Sequence, residues 1–455
     1  MTRAAPARRS AYLVLKAVLH GRRDLPDALA LARAHLPDER DAALTAEIAT
    51  GTLRRMGALD AIIAACAGRP TSRLDPQVRD ILRLSAYQLL HLDRVPTSAV
   101  VNDAVELAKE MGTKSAAGLV NAVLRRVDRE RAHLPLPELP APGASRDTQV
   151  AYLATTLSHP AWLVERWLDR MDFDAARSWA AFNNRPAPLT VRANTLRVSR
   201  EQLQVRLAEA GVATEHARYA PDALLVTDGN PLKLAGASDG DFFVQDEGSQ
   251  LVALVVGARA GERVLDVCAS PGGKTLAMAA GQQDHGFILA SDFRGRRVSL
   301  LREAVGRSGA RSVRLVRLDA TKALPFEDVF DCVLLDAPCS GLGTIRRDPD
   351  IRWRRSVEDL VPLSATQRAM LDRSAAAVRP GGRLVYATCS SEPDENEAVV
   401  EAFLAARPDF ELVRADAGPQ GNVLAAVVTR AGYLQTRPDL HGLECFFAAV
   451  LERRR

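Results

Sequence analysis

The first third of the chain carries apolar residues at helical spacing. Val78, Ile81 and Leu82 share one face of a helix that is predicted to begin at Pro76, directly after an aspartate that can cap it. Two further helices, predicted from about position 97 and from Ser115, show the same recurrence of apolar residues three and four apart. We therefore predict that residues 1–133 form an all-α bundle.

The next stretch is rich in proline. The sequence LPLPELPAP, residues 134–142, favours an extended backbone, and we predict a linker over residues 134–148. Beyond it, residues 149–240 begin with helical spacing and end with two short apolar runs around a helix that Ser199 caps. This pattern predicts a small α/β domain in the middle of the chain.

Short apolar runs alternate with helical stretches from position 241 to the end. They are RVLDVC, FILASD, VRLVRLD, FDCVLLD and RLVYATC, which begin at positions 263, 287, 313, 330 and 383. Such runs, separated by helices, are typical of strands buried on both faces of a parallel, doubly wound sheet. We predict that residues 241–455 form a Rossmann-like α/β domain, which binds ligands at the carboxyl ends of its strands.

Composition and cysteine usage narrow the class of protein. With 47% hydrophobic and 25% charged residues, the chain is typical of a soluble globular protein. It shows no signal-peptide core and no run of about eighteen uncharged apolar residues, so we expect a cytoplasmic protein. The six cysteines include no CxxC pair, which argues against a zinc ribbon or a disulfide framework. The net charge of +4 permits a nucleic-acid partner without requiring one.

The first apolar run continues into a glycine loop, VLDVCASPGGKT, that precedes a predicted helix. Its end, GKT, matches a phosphate-binding P-loop, but Cys268 stands where that motif has its first glycine. The alternative is a nucleoside cofactor whose ribose hydroxyls bind an acidic residue about twenty positions later, where Asp292 lies. Since the GxGxxG pattern of NAD sites is absent, this alternative favours S-adenosylmethionine, with Asp319 accepting a hydrogen bond from the adenine amino group.

Two cysteines, Cys339 and Cys389, lie at the ends of predicted neighbouring strands. Carbon 5 of cytosine becomes nucleophilic once a thiolate has added to carbon 6, and a base must later remove the carbon 5 proton. Two thiols at one sheet edge suit that chemistry, and we expect nearby helix N-termini to lower the pKa of such thiols. Asp336 could hold the ring nitrogen and the amino group of the cytosine. These considerations alone do not decide which thiol attacks.

The motifs CASPGGKT, DAPCSGLG, RRDPDIRW and YATCSS occur in this order along the chain. With them the chain resembles the RNA cytosine-5 methyltransferases, in particular the bacterial RsmB type, also called Sun or Fmu, which modifies small-subunit ribosomal RNA. The resemblance extends over nearly the whole chain and implies an RNA-binding, NusB-like bundle at the N-terminus. It departs from the family near the end, where HGLECFF replaces a more usual acidic residue and glycine before two aromatics.

The resemblance also implies roles for individual residues. Cys389 would be the nucleophile and Cys339 would assist release of the product, with Asp336 as a third catalytic residue. No metal is implied. S-adenosylmethionine would lie against Cys268, Ala269, Ser270, Pro271, Gly272, Gly273, Lys274, Asp292, Asp319 and Asp336.

The substrate implied by the resemblance is an unpaired cytosine of 16S ribosomal RNA, and we expect a monomeric enzyme. The stretch IRRDPDIRWRR, residues 345–355, carries five arginines beside Trp353. Arginine planes and aromatic rings can stack on unpaired bases, so we predict RNA contact there. Two other functions stay open at this point, a P-loop nucleotide hydrolase and a non-catalytic RNA-binding factor of the antitermination kind.

Overall fold

The computed structural model describes residues 4–21, 23–234 and 240–455. The chain divides into two compact units, Met1–Pro186 with Ile345–Val357, and Ala187–Thr344 with Glu358–Arg455. The division at position 186 falls inside the predicted middle segment, whose bounds stay a prediction. Among the described residues, no helix is both long and apolar enough to cross a membrane.

The first unit is helical, as the spacing of apolar residues predicts. The Asp75 carboxylate caps the helix at Pro76 by accepting from the backbone N–H of Gln77 at 2.8 Å, and Ile81 and Leu82 are buried in the core. The bundle consists of α1 (Pro6–Leu19), α2 (Leu25–Ala34), α3 (Glu39–Ala67), α4 (Pro76–His91), α5 (Thr97–Glu110) and α6 (Ala117–Glu130). Its core is continuous from α1 to α6, which confirms the predicted all-α bundle.

A second helical group follows the proline-rich stretch. Leu134 and Leu136 of that stretch pack against the core of the bundle. Beyond it lie α7 (Arg146–Ala151), a π-helical turn (Tyr152–Thr156), α8 (Ala161–Leu168) and α9 (Phe173–Asn183). The rings of Trp167 and Trp179 stack with their centroids 5.9 Å apart, and Trp167 is fully buried. These indoles join α8 to α9.

The second unit begins with a small antiparallel sheet. It contains β1 (Leu189–Ala193), α10 (Arg200–Glu209), β2 (Ala213–His216), β3 (Ala223–Asp228) and β4 (Phe242–Val244). The strand order is β2-β3-β1-β4. Ser199 and Gln202 form a reciprocal capping box at the start of α10, as the predicted serine cap requires. The strand β2 escapes prediction because its sequence, ATEH, carries no apolar run, and β4 because its apolar run, FFV, is only three residues long.

A larger sheet fills the rest of the second unit. Its strands are β5 (Arg263–Asp266), β6 (Phe287–Asp292), β7 (Val313–Arg317), β8 (Phe330–Asp336), β9 (Val378–Thr388), β10 (Phe410–Val413), β11 (Leu434–Gln435) and β12 (Phe447–Arg453). The order is β10-β12-β9-β8-β5-β6-β7, with β11 beside β12. The five predicted strands are mutually parallel. The sheet as a whole is mixed, since the further strands β10, β11 and β12 run antiparallel to their neighbours.

Helices connect these strands and cover the sheet. They are α11 (Glu247–Val256), α12 (Gly273–Gly281), α13 (Gly295–Ser308), α14 (Ile351–Arg354), α15 (Leu360–Ala375), α16 (Glu397–Ala406), α17 (Gly421–Leu424) and α18 (Pro438–His441). The helix α14 is an exception, because it belongs to the first unit. The Rossmann-like fold of the C-terminal region is thereby confirmed.

The stretch 345–357, which we call the α14 segment, is buried in part, contrary to a freely exposed RNA-contact loop. Arg352 is fully buried and its Nη1 donates to the carbonyl of Ser158 at 2.9 Å and to Asn184 Oδ1 at 3.0 Å. The Trp353 indole donates to the carbonyl of Leu53 at 2.6 Å. The arginine and the indole on which base stacking was expected therefore bind helices of their own unit.

Candidate active site

The carboxyl ends of the parallel strands surround a cavity of about 570 Å³ in the second unit. This is the edge of the sheet where such folds bind ligands. Seven predicted site residues line the cavity, namely Cys268, Ser270, Asp292, Asp319, Asp336, Cys339 and Cys389. Strands that are distant in sequence thus bring the predicted carboxylates and thiols to one place.

The glycine loop joins β5 to α12 beside this cavity. Gly272 has φ of +112°, and a Cβ atom there would lie 2.9 Å from Leu301 Cδ1, so only glycine fits without rearrangement. The Ser270 hydroxyl is buried and finds no hydrogen-bond partner among the residues that the structure describes. The other five predicted loop residues do not line the cavity, namely Ala269, Pro271, Gly272, Gly273 and Lys274.

Side chains at the end of the loop are engaged inside the protein. Lys274 Nζ donates to Asp336 Oδ2 at 2.8 Å. Burial would lower the pKa of Lys274, but the charge of Asp336 and its hydrogen bond, together with nearby groups, outweigh this effect and raise the pKa. The Thr275 hydroxyl donates to Asp266 Oδ2 at 2.6 Å. A P-loop needs this lysine and this hydroxyl for phosphate and magnesium, so the pairing argues against a nucleotide hydrolase.

Acidic residues end the two strands beyond the loop. Asp292 is 5% exposed, and its Oδ1 accepts from the backbone N–H of Arg294 at 3.1 Å. Asp319 accepts from the Thr321 hydroxyl at 2.6 Å, and this hydrogen bond lowers the pKa of Asp319. Phe293 also lines the cavity with its ring 54% exposed. The cavity therefore offers two carboxylates with an exposed aromatic face next to one of them.

The two predicted catalytic thiols are in contact. The Cys339 Sγ and Cys389 Sγ atoms are 3.4 Å apart, because Asp336 on β8 pairs with Ala387 on β9 and both chains then turn over the sheet edge. The hydrogen bond to Cys389 is the largest cause that raises the pKa of Cys339, and burial adds to it. For Cys339 the expectation of a lowered pKa is therefore wrong, since neighbouring sulfur and burial dominate.

A buried carboxylate links the two cysteine turns, and sequence reasoning missed it. Glu395 is fully buried, and its Oε1 accepts from the backbone N–H of Ser340 at 2.8 Å. Its Oε2 accepts from the Ser390 hydroxyl at 2.5 Å. Gln367 donates both to Glu395 and to the carbonyl of Pro338, at 2.9 and 3.0 Å. Glu395 thus holds the residue after each cysteine in place.

The cavity fits S-adenosylmethionine in size and in chemistry. Its volume is within the range of small-molecule sites, and its carboxylates suit ribose hydroxyls and a cationic sulfur. The unpartnered Ser270 hydroxyl is a further polar group for the ligand. Among the described residues, no group of three or more histidine, cysteine, aspartate or glutamate side chains is arranged to hold a metal ion.

Three family comparisons match successive parts of the chain. The family described as 16S rRNA methyltransferase RsmB/F matches residues 253–452. The NusB family matches residues 5–129, and the ferredoxin-like domain of RsmF/B-like methyltransferases matches residues 159–233. The resemblance seen in the sequence motifs is thereby confirmed.

Curated relatives and solved structures agree with these families. "Probable ribosomal RNA small subunit methyltransferase B" of Bacillus subtilis is 35% identical over 92% of both chains. Ribosomal RNA small subunit methyltransferase B of Pseudomonas putida is 35% identical over 88% of this chain and 89% of its own. The crystal structure of PH0851 is 26% identical, covers 98% of this chain and 99% of its own, and has a TM-score of 0.79.

The fold, the glycine loop and the cavity define an S-adenosylmethionine-dependent methyltransferase. More particularly, the chain belongs to the RsmB/F family of 16S ribosomal RNA methyltransferases. This membership excludes the P-loop hydrolase.

Proposed function

We propose that the protein methylates carbon 5 of an unpaired cytosine in small-subunit (16S) ribosomal RNA through a covalent cysteine adduct at carbon 6. The observation that carries this proposal is the contact of two thiols, 3.4 Å apart, at the wall of the cofactor cavity. The names of the relatives support ribosomal RNA as the substrate. A buried base is out of reach in a helix, so the target is an unstacked cytosine.

In this proposal Cys389 is the nucleophile. Its thiolate adds to carbon 6, and the ring electrons move to carbon 5, which becomes nucleophilic. S-adenosylmethionine, when bound, supplies an electrophilic methyl group to that carbon. Cys339 holds its proton because its pKa is raised, and it can donate a hydrogen bond to the sulfur of Cys389. The resemblance to the family supports Cys389, rather than Cys339, as the attacking thiol.

Cys339 then assists release. The hydrogen bond with Cys389 is the largest cause of its raised pKa, and formation of the carbon–sulfur bond to the substrate removes that partner. Cys339 can then release its proton to solvent, and the resulting thiolate accepts the proton from carbon 5. The electron pair left at carbon 5 re-forms the ring double bond and expels the Cys389 thiolate. Atoms and charge balance over this cycle.

Asp336 and Lys274 form the polar contact for the cytosine edge. Asp336 accepts a hydrogen bond from the amino group of the cytosine. Lys274 Nζ lies 2.8 Å from Asp336 Oδ2, and its ammonium group provides the proton that this pair can donate to the ring nitrogen. A cation close to the ring stabilises the negative charge that thiolate attack introduces. Each group is already oriented by the other.

The remaining predicted site residues bind the cofactor in this proposal. The loop from Cys268 to Lys274 provides backbone N–H groups and the Ser270 hydroxyl, Asp292 binds ribose hydroxyls, and Asp319 accepts from adenine. We keep the predicted domain bounds of 1–133, 134–148, 149–240 and 241–455 and a monomeric enzyme as part of the proposal. The bundle over 1–133 serves as the RNA-binding domain.

The test uses 16S ribosomal RNA that contains 5-fluorocytidine, whose fluorine blocks proton removal from carbon 5. We expect S-adenosylmethionine-dependent trapping of the RNA, with the adduct mapped by peptide mass spectrometry to Cys389. Cys389→Ala should abolish methylation, Cys339→Ala should accumulate the adduct on normal RNA, and Cys66→Ala, whose thiol lines no part of the cavity, should do neither.

Other results would change the proposal. An adduct on Cys339 would keep the reaction and exchange the roles of the two thiols. A fully active Cys389→Ala variant would refute the mechanism. Absence of any adduct, with cofactor binding verified, would favour a non-catalytic RNA-binding factor.

A further inference from the structure

The second unit contains another cavity, of about 460 Å³, which shares no lining residue with the active site. Small apolar side chains of α11 and α12 form much of its wall, including Ala253, Ala277 and Met278. Polar side chains also line it, among them Arg192 on β1, Asp222 before β3 and Gln250 on α11. We call this the Arg192 cavity.

Arg192 is a buried cation without a counter-ion. It is 3% exposed, its Nε donates to Gln245 Oε1 at 2.7 Å, and its Nη2 donates to the carbonyl of Gly273 at 3.3 Å. Burial lowers the pKa of Arg192 to about 10, against the opposing effect of Asp222. Among the described residues, Nη1 has no acceptor and no carboxylate lies within ion-pair distance. A guanidinium in such a place stabilises a ligand that brings acceptors.

Two acceptors in the same cavity lack donors. Gln250 is 3% exposed, and its amide nitrogen donates to the carbonyl of Gln245 at 3.0 Å, while no described residue donates to its Oε1. The Asp222 carboxylate accepts no hydrogen bond from any described residue, and burial raises its pKa, with Arg192 opposing. Arg192 and Asp222 therefore influence each other across the cavity without forming an ion pair.

We propose that the Arg192 cavity binds a guanine base. Guanine presents two acceptors, O6 and N7, on one edge, which suit the free side of the Arg192 guanidinium. Its other edge carries the N1–H and 2-amino donors, which suit Asp222 and Gln250. Adenine and cytosine would place an amino group against the guanidinium, and uracil lacks the 2-amino group. The exposed Arg259 at the cavity wall provides a positive charge for the attached phosphate.

The base can come from the RNA substrate or from a free guanine nucleotide. We infer that it belongs to the RNA substrate, and this inference rests on the proposed function. A guanosine held here would anchor the RNA to the same unit that carries the two thiols. Arg192 also donates to Gly273, the first residue of α12 after the glycine loop. The proposed base and the cofactor loop thus share one rigid support.

The first experiment measures binding of nucleoside monophosphates by calorimetry. We expect guanosine monophosphate to bind at least about tenfold more tightly than the adenosine, cytidine and uridine monophosphates, as expected for loss of one paired base edge. Ala277→Phe, which fills the cavity, should abolish this binding, and Ala260→Phe, an exposed position outside the lining, should not. Equal binding of all four, or binding that survives Ala277→Phe, would overturn the proposal.

A change of specificity makes the test independent of folding defects. Asp222→Asn replaces an acceptor by an amide donor, so the variant should prefer xanthosine monophosphate, whose 2-carbonyl replaces the 2-amino group of guanine. An Asp222→Asn variant that binds neither guanosine nor xanthosine monophosphate more tightly than the other nucleotides, while it retains wild-type methylation of RNA, would contradict the role of Asp222 in binding the 2-amino edge of guanine.

The source of the base is tested with RNA that carries photoreactive 6-thioguanosine. Crosslinks to peptides that contain Gln250 or Ala277 would support the RNA as the source, with loss in Ala277→Phe. Guanosine monophosphate binding without such crosslinks would overturn the RNA as the source and leave a site for a free nucleotide. Failure of cytosine methylation in the wild-type protein would refute the proposed function separately, because nucleotide binding is measured without turnover.

Discussion

At the residue scale, a buried carboxylate that does not line the active-site cavity links the turns that carry the two thiols. Glu395 joins the backbone N–H of Ser340 to the hydroxyl of Ser390, and the preceding residue in each case is a catalytic thiol of the proposal. Because a displacement of about 1 Å can cost up to a hundredfold in rate, the geometry of the two thiols depends on this carboxylate.

We expect Glu395→Gln to lower kcat by roughly tenfold to a hundredfold and to leave the affinity for S-adenosylmethionine unchanged. The amide cannot accept on both sides, so one of the two turns loses its partner. Single-turnover methylation and equilibrium dialysis with the cofactor measure the two quantities. Glu401→Gln, an exposed change on α16, is the matched control. A loss of cofactor affinity equal to the loss of kcat would show that Glu395 acts on the fold as a whole.

Asp266 should make stability depend on pH. Complete burial raises the pKa of Asp266 to about 7, with the Thr275 hydrogen bond opposing. Because the folded-state pKa lies above the unfolded one, the protonated carboxyl stabilises the fold at low pH. This stabilisation is lost as the pH rises from about 4 through about 7, and it amounts to roughly 4 kcal/mol.

We therefore expect Asp266→Asn to gain stability relative to the wild type as the pH is raised from about 5 to about 8. Hydrogen exchange of the β5 amides at both pH values measures the difference. Asp372→Asn on α15, which alters an exposed aspartate, should show no such trend. If the difference in stability between Asp266→Asn and the wild type were the same at both pH values, the raised pKa of Asp266 would be contradicted.

Sequence reasoning finds a site residue when chemistry and position coincide. Cys339, Cys389 and Asp292 stand out because each follows an apolar run at a strand end, and the structure brings all three to one cavity. Glu395 and Arg192 do not stand out, since a charged residue is solvated in most contexts and its burial depends on partners distant in sequence. Their environment can be read only once the fold has brought those partners together.

At the element scale, strands and helices with local signals could be predicted. The strands β6 and β8 match their apolar runs from the first residue to the last, and α10 begins at its serine cap. The place of the α14 segment could not be predicted from the sequence, because its contacts lie far away in sequence. Its arginines are also typical of a solvated loop. Tertiary burial of Arg352 overrides that local pattern.

Arg352 should stabilise the first unit more than an exposed arginine of the same unit. Its guanidinium donates to Ser158, Asn184, Asn183 and Arg54, all through oxygen atoms. Arg352→Leu leaves these acceptors without a donor and should cost about 3 kcal/mol or more. Arg125→Leu, at an exposed position of α6, is the control, because Arg354 itself pairs with the buried Asp350. Hydrogen exchange in α3 and α9 measures the effect, and equal behaviour of both variants would contradict it.

At the scale of the whole molecule, the two units are interleaved along the chain. The polypeptide leaves the second unit at Thr344, contributes the α14 segment to the first unit, and returns at Glu358. The loop that carries Cys339 lies directly before this crossing. A single cut between positions 186 and 187 would therefore leave the α14 segment attached to the second unit.

This interleaving predicts that residues 4–186 alone form an incomplete unit. Without the α14 segment, the carbonyls of Leu53 and Ser158 lose the indole and guanidinium donors that they have in the whole chain. We expect a synthetic peptide of residues 345–357 to bind that fragment and to raise its thermal midpoint. At a peptide concentration about a hundredfold above Kd, the free energy of unfolding should increase by about 3 kcal/mol. The same peptide with Arg352→Leu should bind far more weakly. If the wild-type peptide did not raise the thermal stability of the fragment, the α14 segment and its buried Arg352 would not contribute to the stability of the helical unit.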